Sequence, residues 1–78
     1  MNVVDITSSL VKIPSYSLLE CSENEIATYI HEILVKAGIE TTIYEVEPGR
    51  SNVTAILRGT GGGKSLMLCG HMDTVPPY

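Results

Sequence analysis

The chain has few basic residues, and these are spread along its length. Five lysines and arginines stand against nine aspartates and glutamates among 78 residues, which gives a formal net charge of −4. Proteins that bind the phosphate backbone of nucleic acids present a clustered basic face, and this sequence contains no such cluster. We therefore expect no nucleic-acid partner.

Long hydrophobic runs are also missing. A membrane-spanning helix needs about 20 consecutive apolar residues, and the apolar runs of this sequence are much shorter. At the N-terminus no basic residue precedes the apolar stretch, and Asp5 interrupts it before the core of a signal peptide could form. These absences predict a soluble protein without a membrane partner.

Cysteine is scarce. Cys21 and Cys69 do not form a CxxC pair, and two isolated cysteines without a secretion signal give little reason to expect a disulfide. We expect both to be structural, Cys21 in a hydrophobic staple at the start of a helix and Cys69 as a small buried residue at the end of a strand. A reducing cytoplasm is the expected location.

The composition is that of an ordinary folded protein. Hydrophobic residues make up 44% of the chain and charged residues 18%, which argues against intrinsic disorder. A chain of this length forms one small domain at most, and such a domain hides only about 60% of its unfolded surface. Its stability is therefore expected to be marginal.

A short helix is predicted near the N-terminus. Val4, Leu10, Val11 and Ile13 stand among polar residues in a weak helical pattern. The helix has to end near Pro14, because the residue before a proline avoids helical backbone. The residues that follow, up to the next helix, are predicted to form a loop.

A second helix is indicated more clearly. Ser22 and Glu25 have the spacing of a capping box, which places the start of the helix near Glu23. Gly38 supplies the left-handed position that ends it. His31 lies beside the apolar stripe, at a boundary position to which we assign no function. The stripe consists of Ile26, Tyr29, Ile30, Ile33, Leu34 and Ala37.

Three strands are predicted after the second helix. They cover residues 39–46, 53–58 and 65–69. The glycine-rich connection at residues 59–64 is short enough to join the last two strands as a hairpin. The run at residues 66–69 does not alternate in polarity, which predicts burial on both faces. The predicted fold class is α/β, with two helices and then three strands in a mixed β-sheet covered by helices.

A histidine and an aspartate directly follow the third predicted strand. His71 and Asp73 are two residues apart, so in extended backbone their side chains point the same way. A zinc-binding histidine commonly donates its other ring N–H to a carboxylate that fixes its orientation. Spacing alone favours two surface polar residues. With Gly70 before the pair and Pro76-Pro77 after it, a metal site and a pair of surface polar residues are about equally favoured.

The segment around this pair resembles a known signature. Gly70-His71-Met72-Asp73-Thr74-Val75-Pro76 is similar to the first zinc-site signature of the family of acetylornithine deacetylase, succinyl-diaminopimelate desuccinylase, aminoacylase and carboxypeptidase G. The resemblance extends upstream to the glycine-rich connection, the turn at residues 46–53 and the helix end at residues 37–39. It covers nearly the whole chain, more loosely before Ser22.

The resemblance implies a function. In that family the histidine of the signature binds one of two zinc ions, which implies metal ligation by His71, and Asp73 matches the catalytic-site aspartate that orients it. The implied fold is a zinc exopeptidase-like α/β domain interrupted by a smaller lid or dimerisation domain. The implied reaction is metal-dependent hydrolysis of an amide bond in N-acyl amino acids or small peptides, by a full-length protein that can be a homodimer.

Several choices stay open within this implied function. One histidine and one carboxylate suit zinc, cobalt or manganese almost equally. The residues also do not choose among a deacetylase, a desuccinylase, an aminoacylase and a peptidase.

Most of the family's site has no counterpart in residues 1–78. The bridging aspartate, the glutamate pair with the general base, a further acidic ligand and a late histidine would all follow Tyr78. We therefore expect residues 1–78 to be an incomplete N-terminal portion of the catalytic domain, without the lid domain and inactive alone, because a catalytic zinc needs about three protein ligands. An unpaired sheet edge and uncovered apolar faces predict association or partial unfolding in solution.

The glycine-rich connection offers the alternative function. Residues 58–65, Arg-Gly-Thr-Gly-Gly-Gly-Lys-Ser, nearly match a phosphate-binding P-loop, but Arg58 stands where its first glycine belongs. A P-loop also leads into a helix whose N-terminal amides face the phosphates, whereas Ser65 opens a predicted strand. A hairpin turn is favoured, and a small module that binds phosphate or nucleotide through loop 59–65 is the alternative.

Overall fold

The computed structural model describes residues 2–16 and 23–76. This part of the chain contains two helices followed by a two-stranded antiparallel sheet. Helices and strands thus occur together, in agreement with the α/β prediction. Neither helix of the described part has the length and apolar character needed to cross a membrane. In chain order the elements are α1 (Val3–Val11), α2 (Asn24–Lys36), β1 (Glu40–Glu47) and β2 (Arg50–Ile56).

Helix α1 is capped by a side chain at its start. Oδ1 of Asn2 accepts a hydrogen bond of 2.9 Å from the backbone N–H of Asp5, which satisfies one amide that the first turn leaves unpaired. The helix ends at Val11, before Pro14, as predicted. None of its residues is buried.

Helix α2 begins at Asn24, one residue after the predicted start. Glu23 occupies the N-cap position and makes no side-chain capping hydrogen bond. The predicted capping box of Ser22 with Glu25 and the predicted staple of Cys21 with Ile26 each include a residue outside the described ones, namely Ser22 and Cys21.

The C-terminal end of α2 confirms the role predicted for Gly38. This glycine has φ 80, and its N–H donates to the carbonyl of Val35 at 3.0 Å. The N–H of Ile39 donates to the carbonyl of Leu34, also at 3.0 Å. This pair of hydrogen bonds is a Schellman motif, which satisfies carbonyls that the last turn leaves free.

Strands β1 and β2 form a hairpin whose register places Glu40 opposite Ile56. Pro48 and Gly49 make the turn, and Gly49 has φ 81, a conformation that glycine adopts without a steric penalty. Strand β2 begins at Arg50 instead of residue 53, so the turn is shorter than predicted. The pairing shifts by a bulge between Glu45 and Glu47 on β1.

Helix α2 packs against both strands. Ile26 and Ala27 are the buried hydrophobic residues of the described chain, at 7% and 0% exposure. His31 is partly exposed, as predicted for a boundary position. The remaining residues of the predicted stripe are half-buried except Ala37, which is exposed; the half-buried ones are Tyr29, Ile30, Ile33 and Leu34.

The prediction of a third strand was wrong for this structure. Residues 65–69 form no strand, and Leu66, Met67 and Leu68 are between 83% and 88% exposed, not buried on both faces. Cys69, predicted to be buried, is exposed with them. An apolar run becomes a buried strand only beside a neighbouring strand and between covering layers. In the described residues the sheet is accordingly antiparallel and two-stranded, not mixed and three-stranded.

Candidate functional site

The segment that contains His71 and Asp73 is attached to the residues that follow α1. The hydroxyl of Ser15 donates to the carbonyl of Met72 at 2.8 Å, and the N–H of Thr74 donates to the carbonyl of Ser15 at 3.3 Å. Tyr16 and Thr74 form an isolated parallel bridge. These contacts hold residues 72–74 in position although they belong to no strand.

His71 and Asp73 lie within hydrogen-bonding distance of each other. Nδ1 of His71 is 3.0 Å from Oδ1 of Asp73 and also 3.0 Å from the backbone oxygen of Asp73. A carbonyl oxygen and an ionised carboxylate can only accept hydrogen bonds, so Nδ1 has to carry the proton that is donated. In the neutral ring Nε2 then keeps its lone pair, which is the form of imidazole that binds a metal.

The pair is accessible from solvent. The side chain of His71 is 84% exposed and that of Asp73 is 45% exposed. Exposed ion pairs contribute little to stability, so the fold gains little from this contact. The geometry therefore orients the ring of His71 without burying the Nε2 side of the imidazole.

A cleft of about 340 Å³ lies between this segment and the turn end of the hairpin. Its charged walls include His71, Asp73, Glu47, Arg50 and Glu23. Asp73 is thus the charged partner of His71 within a concave surface that also contains an arginine–glutamate ion pair.

That ion pair is made by Arg50 with Glu23, whose side chain is only 7% exposed. Nη2 of Arg50 donates to Oε1 at 2.8 Å, and Nε donates to Oε2 at 3.2 Å. The pKa of Arg50 is raised above its usual value. The largest cause is the hydrogen bond with Glu23, the next is the negative charge of Glu23, and the charges of Glu47 and Asp73 contribute less. Arg50 therefore remains positively charged at every ordinary pH.

An apolar groove of about 510 Å³ lies beside the same histidine. Its walls come from the end of α1 with residues 12–16, from Ile26 and Ile30 of α2, and from the segment that follows His71. The imidazole of His71 thus borders a charged cleft and an apolar groove.

The described residues offer a metal one strong ligand position. His71 fits because its Nε2 is the free nitrogen of an oriented ring. Among residues 2–16 and 23–76, no group of three or more His, Cys, Asp or Glu side chains could hold an ion together. The donor set therefore suits a contribution to a metal site and not a complete one.

Two residues at this site were not recognised in the sequence. Ser15 was assigned to a loop, and Glu23 was identified only as the approximate start of α2. Both make their key contacts with residues far along the chain. Local periodicity carries no signal for such contacts, whereas the two-residue spacing of His71 and Asp73 is visible in the sequence.

The glycine-rich connection does not have the geometry of a P-loop. Residues 59–64 are exposed, Gly61 has φ 90, and residues 64–70 contain no helix. Ser65 opens neither a helix nor the predicted strand, so the hairpin turn favoured for residues 59–64 is not formed either. The backbone amides of a helix start, which cradle phosphate in a P-loop, are therefore missing from this segment.

Comparisons of the chain with protein-family models, with curated proteins and with solved structures found no match. The resemblance to a zinc-site signature rests on residues 70–76 and their surroundings.

Proposed function

We propose that this chain supplies a metal-ligating histidine, His71, to a zinc-dependent hydrolase that cleaves amide bonds in N-acyl amino acids or small peptides. The observation that supports this most is the 3.0 Å contact between Nδ1 of His71 and the carboxylate of Asp73. This contact is the usual arrangement of a zinc-binding histidine and its carboxylate partner. The similarity of residues 70–76 to a zinc-site signature supports the choice of reaction.

Asp73 has a defined task in this proposal. Its carboxylate accepts the Nδ1 proton of His71, which selects the tautomer with a free Nε2 and makes that nitrogen more basic. The backbone carbonyl of the same residue accepts from Nδ1 as well. Both acceptors of one residue therefore orient the ligand.

The remainder of the site is expected outside the described residues. A bound zinc ion supplies Lewis acidity to an amide carbonyl, and cobalt or manganese suits the same ligands. A catalytic site of this kind needs about three protein ligands and a general base within hydrogen-bonding distance of the attacking water. On this proposal residues 1–78 are part of a catalytic domain and are inactive by themselves.

Replacing each member of the pair tests the proposal in the full-length protein. We expect His71→Ala to abolish high-affinity binding at one zinc position, because Nε2 is removed. Asp73→Asn keeps the ligand but replaces its carboxylate, and zinc affinity should fall by about 10- to 100-fold. Competition against a chromophoric chelator measures both effects, and hydrolysis of N-acetyl amino acids should decrease in parallel.

The chain offers a matched control for each variant. His31→Ala removes the other histidine, which lies on α2, and Glu32→Gln neutralises an exposed carboxylate of the same helix. Both controls should bind zinc like the parent protein. Equal zinc affinity in the His71→Ala and His31→Ala proteins would rule the proposal out.

A further inference from the structure

Ser15 is the most deeply buried polar residue near the candidate site. It is 1% exposed, whereas Ile26 in the same groove is 7% exposed and the other residues of the groove are half-buried or exposed. Its hydroxyl donates a hydrogen bond to the carbonyl of Met72, and its carbonyl accepts one from the N–H of Thr74. We call these two hydrogen bonds the Ser15 link.

The Ser15 link holds the backbone on both sides of Asp73. Met72 contributes the carbonyl before this residue and Thr74 the amide after it. Ser15 therefore holds both of the peptide units that flank Asp73. Because the backbone oxygen of Asp73 is one of the two acceptors of the Nδ1 proton, its position depends on how these peptide units are held.

We propose that Ser15 is a positioning residue: the Ser15 link fixes the backbone around Asp73 so that both oxygen acceptors of this residue meet Nδ1 of His71, which keeps Nε2 unprotonated. The effect on the ring does not depend on any metal, but its consequence for metal binding rests on the function proposed above. Ser15 itself need not touch metal or substrate.

A purely structural role for Ser15 predicts a different result. Loss of a buried hydroxyl hydrogen bond lowers stability wherever it occurs, so a stability measurement alone does not separate the two roles. The tautomer of His71 does separate them, because a structural hydrogen bond elsewhere leaves that tautomer unchanged. Ser51 provides the comparison, since it is also buried and its hydroxyl contacts Asn24.

The test is nitrogen-15 NMR of the histidine rings in the full chain without metal, at about pH 8, where imidazole is neutral. In the parent protein the ring of His71 should be protonated at Nδ1. In Ser15→Ala a second population protonated at Nε2 should appear, because a ring without fixed acceptors occupies both tautomers. Ser51→Ala should retain the parent tautomer, and the ring of His31 serves as an internal reference.

A second variant covers the case in which Ser15→Ala does not fold. Ser15→Cys keeps a small side chain at the buried position and replaces the hydroxyl by a thiol, which is a weaker hydrogen-bond donor. It should shift the tautomer in the same direction by a smaller amount. An unchanged tautomer of His71 in the folded variants would overturn the positioning role.

Zinc affinity separates this inference from the function on which it rests. If both are right, Ser15→Ala should lower zinc affinity by about 10-fold, at the low end of the effects of residues that support a ligand. If His71→Ala leaves zinc affinity unchanged while Ser15→Ala still shifts the tautomer, the proposed function fails and the positioning role stands. If His71→Ala abolishes binding while the tautomer does not respond to Ser15, only the positioning role fails.

Discussion

Two arginine–glutamate ion pairs have similar contact distances, but their glutamate side chains differ in burial. Nη2 of Arg50 lies 2.8 Å from Glu23, and Nη2 of Arg58 lies 2.9 Å from Glu40. The carboxylate side chain of Glu23 is 7% exposed, whereas that of Glu40 is 57% exposed. Removing an arginine therefore leaves a buried charge in one pair and a hydrated charge in the other.

We expect Arg50→Gln to lower the thermal midpoint clearly and Arg58→Gln to change it little. A buried carboxylate without its partner is destabilising, while an exposed pair contributes little. The pKa of Arg50 is raised in the folded state, so its contribution is complete below the unfolded pKa and is lost only as pH rises through the folded pKa. The contribution of Arg50 ionisation should thus stay constant between about pH 6 and 9.

Thermal unfolding of both variants followed by circular dichroism measures this difference. Equal midpoints for Arg50→Gln and Arg58→Gln would show that burial of Glu23 does not increase the contribution of its ion pair to stability. The comparison holds the substitution constant, so only the surroundings of the two arginines differ.

Residue contacts could be predicted only where they are local. The pairing of His71 with Asp73 follows from a spacing of two residues in extended backbone. The contact between Glu23 and Arg50 joins positions 27 apart, and that between Ser15 and Met72 joins positions 57 apart. No periodic pattern encodes such distances, so these partners became apparent only in the folded chain.

At the scale of secondary-structure elements, the residues at the ends of helices and strands decide their bounds as much as the apolar patterns do. Helix α2 ends in the Schellman motif because Gly38 accepts φ 80. The same reasoning identifies the Pro48-Gly49 turn between the strands, where the proline ring restricts φ and the glycine reverses its sign. The end of α2 was predicted at the observed residue, whereas the turn was predicted to be longer than Pro48 and Gly49.

Gly38→Ala should reduce the free energy of unfolding by about 1 kcal/mol, because alanine is strained at this positive φ. Nothing lies within 4 Å of the added Cβ atom, so the cost is conformational and not a clash. Urea unfolding measures it. Gly62→Ala is the control, since Gly62 also has open space around it but no positive φ; equal losses in both would contradict the conformational explanation.

The third predicted strand, at residues 65–69, is the element that the sequence pattern did not predict correctly. Residues 66–69 have the composition of a buried strand, yet in the structure they form no strand and are exposed. Composition reports that a segment favours burial, whereas a neighbouring strand decides whether it is buried. The first two strands could be predicted because each supplies the other's partner within a few residues.

The whole molecule is more extended than a compact domain of its length. Its radius of gyration is 14.0 Å, compared with about 11.5 Å for a compact chain of 78 residues. Ile26 and Ala27 are the buried hydrophobic residues of the described chain. Leu57 and residues 66–68 expose their apolar side chains at the surface.

We expect the isolated chain to self-associate at increasing concentration, because exposed apolar segments of this kind promote association. Replacing Leu66 and Leu68 by lysine should shift the weight-average mass in sedimentation equilibrium towards the monomer. Thr60→Lys with Ser65→Lys changes the net charge equally at exposed polar positions of the same region, and this control should still associate. A parent chain that stays monomeric at all concentrations would contradict the expectation.

The contact between Ser15 and Met72 also has a consequence for the order of folding. It closes a loop that spans 57 positions, and the entropy of closing such a loop is on the order of 3 to 4 kcal/mol before the constant term. Helices and the β1–β2 hairpin close much shorter loops and can form first. On the positioning role proposed for Ser15, the histidine ring therefore reaches its final proton arrangement late. If the proposed function is right as well, metal uptake begins only after nearly all of the chain has folded.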